Sequence, residues 1–228
     1  MNNDISSVSS DVRLLLEYYK ILGFEYLPVS LRTADEKPDI CGPQITLLQD
    51  FSKKVSVCTR CKLSKGRKNV VFGEGNPDAE LLFIGEAPGR EEDIQGRPFV
   101  GEAGALLTRL IEKMGLQRSS VYIANIIKCR PPMNRDPDSE EIETCRPYLE
   151  KQIDIINPEV IITLGRIALQ ALMNDPGLKI TAMRGNFLEY RNVPLMPTFH
   201  PAYLLRNPKD KWLTWNDMKK VLERTSMA

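Results

Sequence analysis

The chain has 228 residues, 42% hydrophobic and 27% charged, with a formal net charge of +1. That balance fits a globular α/β domain with an appendage and excludes a disordered or strongly charged tail protein. Nucleic acid, if it is a partner, has to be held by local basic clusters rather than by a whole-protein field.

No apolar run reaches the ~20 residues of a membrane span. The start MNNDISSVSSDVR lacks the charged start and apolar core of a secretory signal. The expectation is an intracellular, cytoplasmic protein with no membrane partner.

Residues 9–22 put Val12, Leu15, Leu16, Tyr19 and Leu22 on one helical face, with a stop at Gly23. Pro28, Pro38 and Pro43 then mark a linker. Residues 1–43 read as a helical extension, and residues 44–228 as the main domain. Within that domain, 79–85 is a short buried strand, 101–115 a helix and 121–129 a second strand. A helix begins at Asp138, with Glu141 three residues on as in a capping box, and Pro147 is expected to kink or restart it. A third strand at 159–165 precedes the helix RIALQALMN, a fourth covers 193–201, and KDKWLTWNDMKKVLERT closes the chain as a helix. Strands alternating with helices predict a four-stranded parallel sheet covered on both faces, a three-layer α/β/α sandwich. Ligands collect at the carboxyl ends of such strands. Gly85, Asn125, Gly165 and His200 all fall there.

Four cysteines are spaced as Cys58-x-x-Cys61, then Cys129, then Cys145. A tight pair plus two distant thiols suits either a zinc tetrathiolate or an iron–sulfur cluster, and spacing alone leaves both open. Cys41, in the linker, has no spacing partner.

The stretch GEAPGREEDIQGRPFVGEAG (85–104) crowds glycines, prolines and carboxylates behind the first strand. It lacks the endings of a P-loop or a dinucleotide fold, and its acidic residues repel phosphate. An uncharged, flat ligand fits better, held by backbone amides and the Phe99 ring. The only histidine in the chain, His200, lies in TFHPAYLLR.

Taken together, Cys58-x-x-Cys61, GEAPGREEDIQGRPFVGEAG, YIANIIKCRPPMNRDP, Cys145, VIITLG and HPAYLLR resemble family 4 uracil-DNA glycosylases over roughly residues 44–225. The resemblance implies a uracil-DNA glycosylase-like sandwich and a [4Fe–4S] cluster on Cys58, Cys61, Cys129 and Cys145. It implies uracil-containing DNA as substrate, bond hydrolysis without a lyase step, and base excision repair as the setting, with other repair proteins as partners. A monomer is expected. Phe99 would stack on the flipped uracil, Asn125 would read it, and His200 would face O2. The backbone at Glu86 and Ala87 would add to the stabilisation of the leaving base. Better-known uracil glycosylases carry Asp or Asn where this chain has Ala87, so Glu86 and Glu92 become the candidates for the attacking water. Glu92 would also shape the pocket beside C5. Leu204 would wedge into the DNA gap, with Arg206 near a phosphate. The basic segments KLSKGRK (62–68) and KCRPPMNR (128–135) would meet the backbone. The alternatives are a metal-tetrathiolate nucleic-acid-binding module without catalysis and an electron-transfer protein.

Overall fold

In the segment LLFIG, successive side chains point to opposite faces of a sheet, and both faces are apolar. The computed structural model, described over residues 43–225, shows how both are buried. The extension helix expected at 9–22, and Cys41, lie outside these residues.

The elements in chain order begin with α1 (Pro43–Ser56), β1 (Glu74–Gly75), β2 (Leu81–Gly85), α2 (Arg90–Gln95), α3 (Glu102–Lys113) and β3 (Tyr122–Asn125). They continue with α4 (Ser139–Ile156), β4 (Val160–Leu164), α5 (Arg166–Met173), α6 (Ile180–Met183), β5 (Leu188–Tyr190), β6 (Val193–Thr198), α7 (Pro201–Arg206) and α8 (Lys211–Arg224). The sheet order is β1-β3-β2-β4-β6-β5. The central four strands are parallel, and they are the four expected. The edges β1 and β5 are antiparallel additions. Two or three residues are too few to carry a sequence period, so these edges were not readable as strands.

Leu82, Ile84, Tyr122, Ala124, Ile161 and Leu195 face a core completed by Leu48 and Val55 of α1, Leu149 and Ile153 of α4 and Ala168 and Leu169 of α5. Leu81, Phe83, Ile123, Ile162 and Met196 face the opposite core, closed by Leu107 and Ile111 of α3 and Met218 and Val221 of α8. The three layers follow directly from that alternation.

The α4 start is as expected: Asp138 is the N-cap and Glu141 closes the box. Pro147 does not restart the helix, which runs to Ile156. A proline within a helix removes one backbone bond, and the buried Cys145, Leu149 and Ile153 anchor the turns on either side.

The chain passes from β2 to β3 on one side and later to β4 on the other. That reversal opens a crevice at the carboxyl end of β2, where Gly85 pairs in register with Asn125.

Candidate active site

Gly85 ends β2, and a side chain there would collide with the Asn125 Oδ1 atom and the Phe99 ring, 2.7 Å from Phe99 Cε2. Glycine is what lets the ring and the carboxamide approach each other. Asn125 is buried, and among the described residues its Oδ1 has no hydrogen-bond partner. Buried polar atoms are rarely left so, and an unmatched acceptor marks a place for a ligand donor.

Phe99 sits in left-handed backbone, φ 50°, which is strained for a bulky residue. Several contacts hold it. Glu92 Oε1 accepts from the Val100 and Gly101 amides at 2.9 and 3.1 Å. Arg118 Nη2 donates to the Pro98 carbonyl at 2.6 Å and pairs with Glu74 at 2.7 Å. Gly104 leaves room for the Phe99 carbonyl, which any side chain there would strike. Gly104 closes the quoted 85–104 stretch, whereas Arg118 and Glu74 carry no local motif, and their part was invisible in the sequence.

His200 is the N-cap of α7, and its Nδ1 accepts from the Ala202 amide at 3.1 Å. The ring proton of the neutral imidazole is therefore on Nε2. Burial and the nearby Arg206 charge hold its pKa down at about 4, with Glu92 pulling the other way. At neutral pH the imidazole is an uncharged donor. Its ring centroid lies 5.8 Å from that of Phe99, inclined by 35°.

Glu86, Ala87, Glu92, Phe99, Asn125, His200 and Arg206 all line one cavity of about 540 Å³. Burial, reinforced by Asp136 and opposed by Arg166, pushes the Glu86 carboxyl up to about 7. Glu92 is arranged differently from the expectation that gave it the water. Its Oε2 accepts from the Gly89 amide at 3.1 Å while Oε1 takes the two amides named above. Both oxygens are engaged in holding the loop. Pro131, Asn134 and Arg135 also line the cavity. Arg135 is fixed by paired bonds to Glu141 at 2.7 and 2.9 Å.

Two expectations need correction. Leu204 is 3% exposed, whereas Leu205 is 38% exposed. Helix α7 turns Leu204 into the protein, so Leu205 is the apolar side chain available to a partner. Lys128, counted in a basic segment, is 1% exposed. It cannot meet a phosphate, which leaves Arg130 and Arg135 from that stretch.

Cys58, Cys61, Cys129 and Cys145 are all free thiols lining one small cavity of about 20 Å³, with Lys128, Arg67 and Tyr148. Arg67 donates to Cys129 Sγ at 3.3 Å, the Lys128 amide to Cys145 Sγ at 3.3 Å, and the Tyr148 hydroxyl to Cys58 Sγ at 3.2 Å. Burial pushes the Cys145 thiol up to about 11. Among the described residues, no three His, Cys, Asp or Glu groups gather closely enough to hold a single metal ion.

Residues 72–222 match the family described as the uracil DNA glycosylase superfamily. The chain belongs to that superfamily. Within it, the chain is similar to the Type-4 uracil-DNA glycosylase of Saccharolobus solfataricus, 49% identical over 184 residues, or 77% of this chain and 85% of the relative. The Thermotoga maritima Type-4 uracil-DNA glycosylase is 50% identical over 162 residues, 71% of this chain and 84% of its own. A Type-5 uracil-DNA glycosylase of Thermus thermophilus is 37% identical over 128 residues, 49% and 58% of the two chains. The superfamily match takes in the glycine loop, Asn125 and His200, and starts after the Cys58–Cys61 pair. Among the described residues, no helix is long and apolar enough to cross a membrane.

Proposed function

We propose that this cavity removes uracil from DNA, hydrolysing the N-glycosidic bond to leave an abasic site, as the opening step of base excision repair. The observation that carries the reading is the Asn125 Oδ1, without a partner among the described residues, in a cavity shared with Phe99 and His200, in a chain of this superfamily.

A base inside a duplex is out of reach, so the uracil enters flipped and lies on the Phe99 ring. Uracil N3–H donates to Asn125 Oδ1, and Nδ2 donates to O4. Cytosine presents the reverse pattern and leaves buried groups unmatched, at about 1–3 kcal/mol each. As the C1′–N1 bond breaks, its electron pair goes to the base and charge gathers at O2. The Nε2–H of neutral His200 donates there, and this bond strengthens in the transition state. A water oxygen bonds to C1′ and its proton passes to Glu86. A carboxyl poised at about 7 suits a base working near neutral pH. Glu92 keeps the Phe99 loop in place.

The four cysteines would hold a [4Fe–4S] cluster, as the Type-4 relatives suggest. All four line one cavity, and the Cys58 and Cys129 sulfurs accept O–H and N–H bonds there, as cluster thiolates do. When bound, the cluster would supply a cross-link between the 58–61 turn, the end of β3 and α4. Arg206, which lines the cavity, would meet a phosphate, and the exposed Leu205 before it would act as the wedge; the protein acts as a monomer.

The test is incubation of metal-loaded protein with a uracil-containing oligonucleotide, then alkali. Strand cleavage at uracil, lost in His200→Ala, is expected. Absence of cleavage with retained DNA binding would replace the enzyme by a binding module.

A further inference from the structure

Helix α7 contributes to two separate hollows. Ala202, Tyr203 and Arg206 line the base cavity, whereas Pro201 and Leu204 line a groove of about 170 Å³ shared with α3 and α8. The buried Leu164, Phe199 and Leu204 contribute to this groove, together with the half-buried Leu106, Leu110 and Trp215. Three exposed cations complete it: Arg109 and Lys113 of α3 and Lys211 of α8. Among the described residues no carboxylate lines the groove, and none of the three cations is in an ion pair. Asp210, next to Lys211 in the chain, is engaged by the Tyr203 hydroxyl at 2.6 Å.

The spacing along α3 gives this surface a period. Leu107 and Ile111 face the core, so Leu106, Arg109, Leu110 and Lys113, at i, i+3, i+4 and i+7, share the stripe beside them. Apolar and basic side chains thus run together along one helix face. The complement of such a stripe is a second helix that repeats apolar and acidic side chains at the same spacing. Nucleic acid fits less well, because a sugar–phosphate backbone would meet the cations and leave the apolar surface unfilled. Trp212, next to Lys211, adds an indole that is 61% exposed, a side chain enriched at protein interfaces.

We propose that the groove between α3, α7 and α8 docks an acidic amphipathic helix of a partner protein. Its apolar side chains enter beside Leu106, Leu110 and Trp215, and its carboxylates meet Arg109, Lys113 and Lys211. The proposal goes beyond the uracil reading and does not depend on it. Groove and base cavity draw on different residues of α7, so the partner helix and DNA bind at the same time.

The probe is a synthetic two-heptad helix of leucine, alanine and glutamate, with leucines at i, i+3, i+4 and i+7 flanked by glutamates. Its control carries lysine for every glutamate. Both tryptophans of the chain lie in α8 and Trp215 lines the groove, so indole fluorescence of the full chain reports occupancy. The glutamate peptide is expected to bind at least roughly 10-fold tighter than the lysine peptide, with the difference shrinking at high salt. Arg109→Glu combined with Lys211→Glu should weaken it by roughly 10-fold or more, with uracil release from a single-stranded oligonucleotide unchanged. Equal binding of the two peptides, or binding that ignores the two substitutions, overturns the proposal. A uracil-free oligonucleotide that displaces the peptide makes the groove a nucleic-acid surface and overturns it too. Self-association of the protein that is lost in the doubly substituted chain would give the groove to a second copy, with the same consequence. Peptide binding is read without substrate, so its failure leaves the glycosylase reading standing, and a failed uracil assay leaves the docking groove standing.

Discussion

Gly165 lies so close beneath His200 that a Cβ placed on it would sit 2.9 Å from the His200 Cβ. Its φ of +92° is itself a conformation that other residues rarely adopt. Gly165→Ala should therefore move the imidazole while leaving the cores untouched. Displacement of a catalytic group by about 1 Å costs on the order of 100-fold in rate. The expected result is a fall of that order in uracil release from a protein with native far-UV circular dichroism. Wild-type kinetics would show that His200 tolerates displacement and is not the donor to O2.

Asn125→Asp keeps the shape of the reading side chain but removes its donor and adds charge. The variant should lose at least roughly 10-fold in kcat/KM on uracil, since both the lost bond to O4 and a buried carboxylate oppose binding. Competition between uracil- and cytosine-containing oligonucleotides measures the discrimination. Unchanged kinetics would take Asn125 out of the site.

The pH profile separates the two titrating groups. Glu86 is raised to about 7, so as a base it becomes active as pH rises through that value. His200 is lowered to about 4, so it stays neutral across the same range and contributes no limb there. A single acid limb near pH 7 in kcat is expected, absent in Glu86→Gln. Asp136→Asn should shift it to lower pH, because Asp136 helps to raise the carboxyl. Stability follows the opposite signs. Glu86 binds its proton more tightly when folded, so its contribution is lost as pH rises from 4.5 towards 7. His200 resists protonation when folded, so its contribution is lost as pH falls from 6.5 towards 4. The two oppose each other between those limits, and Glu86→Gln should expose an acid destabilisation in urea melts.

Adjacent leucines in α7 should fail in different ways. Leu204 is buried beside Pro201 and Phe199, and Leu204→Ala is expected to cost about 2–5 kcal/mol of stability. Leu205 is exposed. Leu205→Ala should leave stability within about 0.5 kcal/mol and weaken uracil release from duplex more than from single strands. Chemical denaturation and paired substrates check the two. Equal losses on both substrates would remove Leu205 as a wedge.

The four central strands, the helices between them and the Asp138 start of α4 were legible because each rests on a local signal: an apolar run, a helical period or a capping pair. Asn125 and His200 were legible because strand ends in a parallel sheet converge on one crevice, and Phe99 because it stands in the glycine-rich loop that resembles the family motif. Tertiary contact alone decided the rest. Burial separated Leu204 from Leu205 and took Lys128 away from the DNA, because a helix phase and a strand-end turn set which way each side chain faces. The engagement of Glu92, the Arg118–Glu74 clamp and the contacts of Gly85 and Gly165 with Asn125, Phe99 and His200 depend on distances between segments apart in the chain. Local sequence carries propensity and period. Which atoms meet is decided by packing.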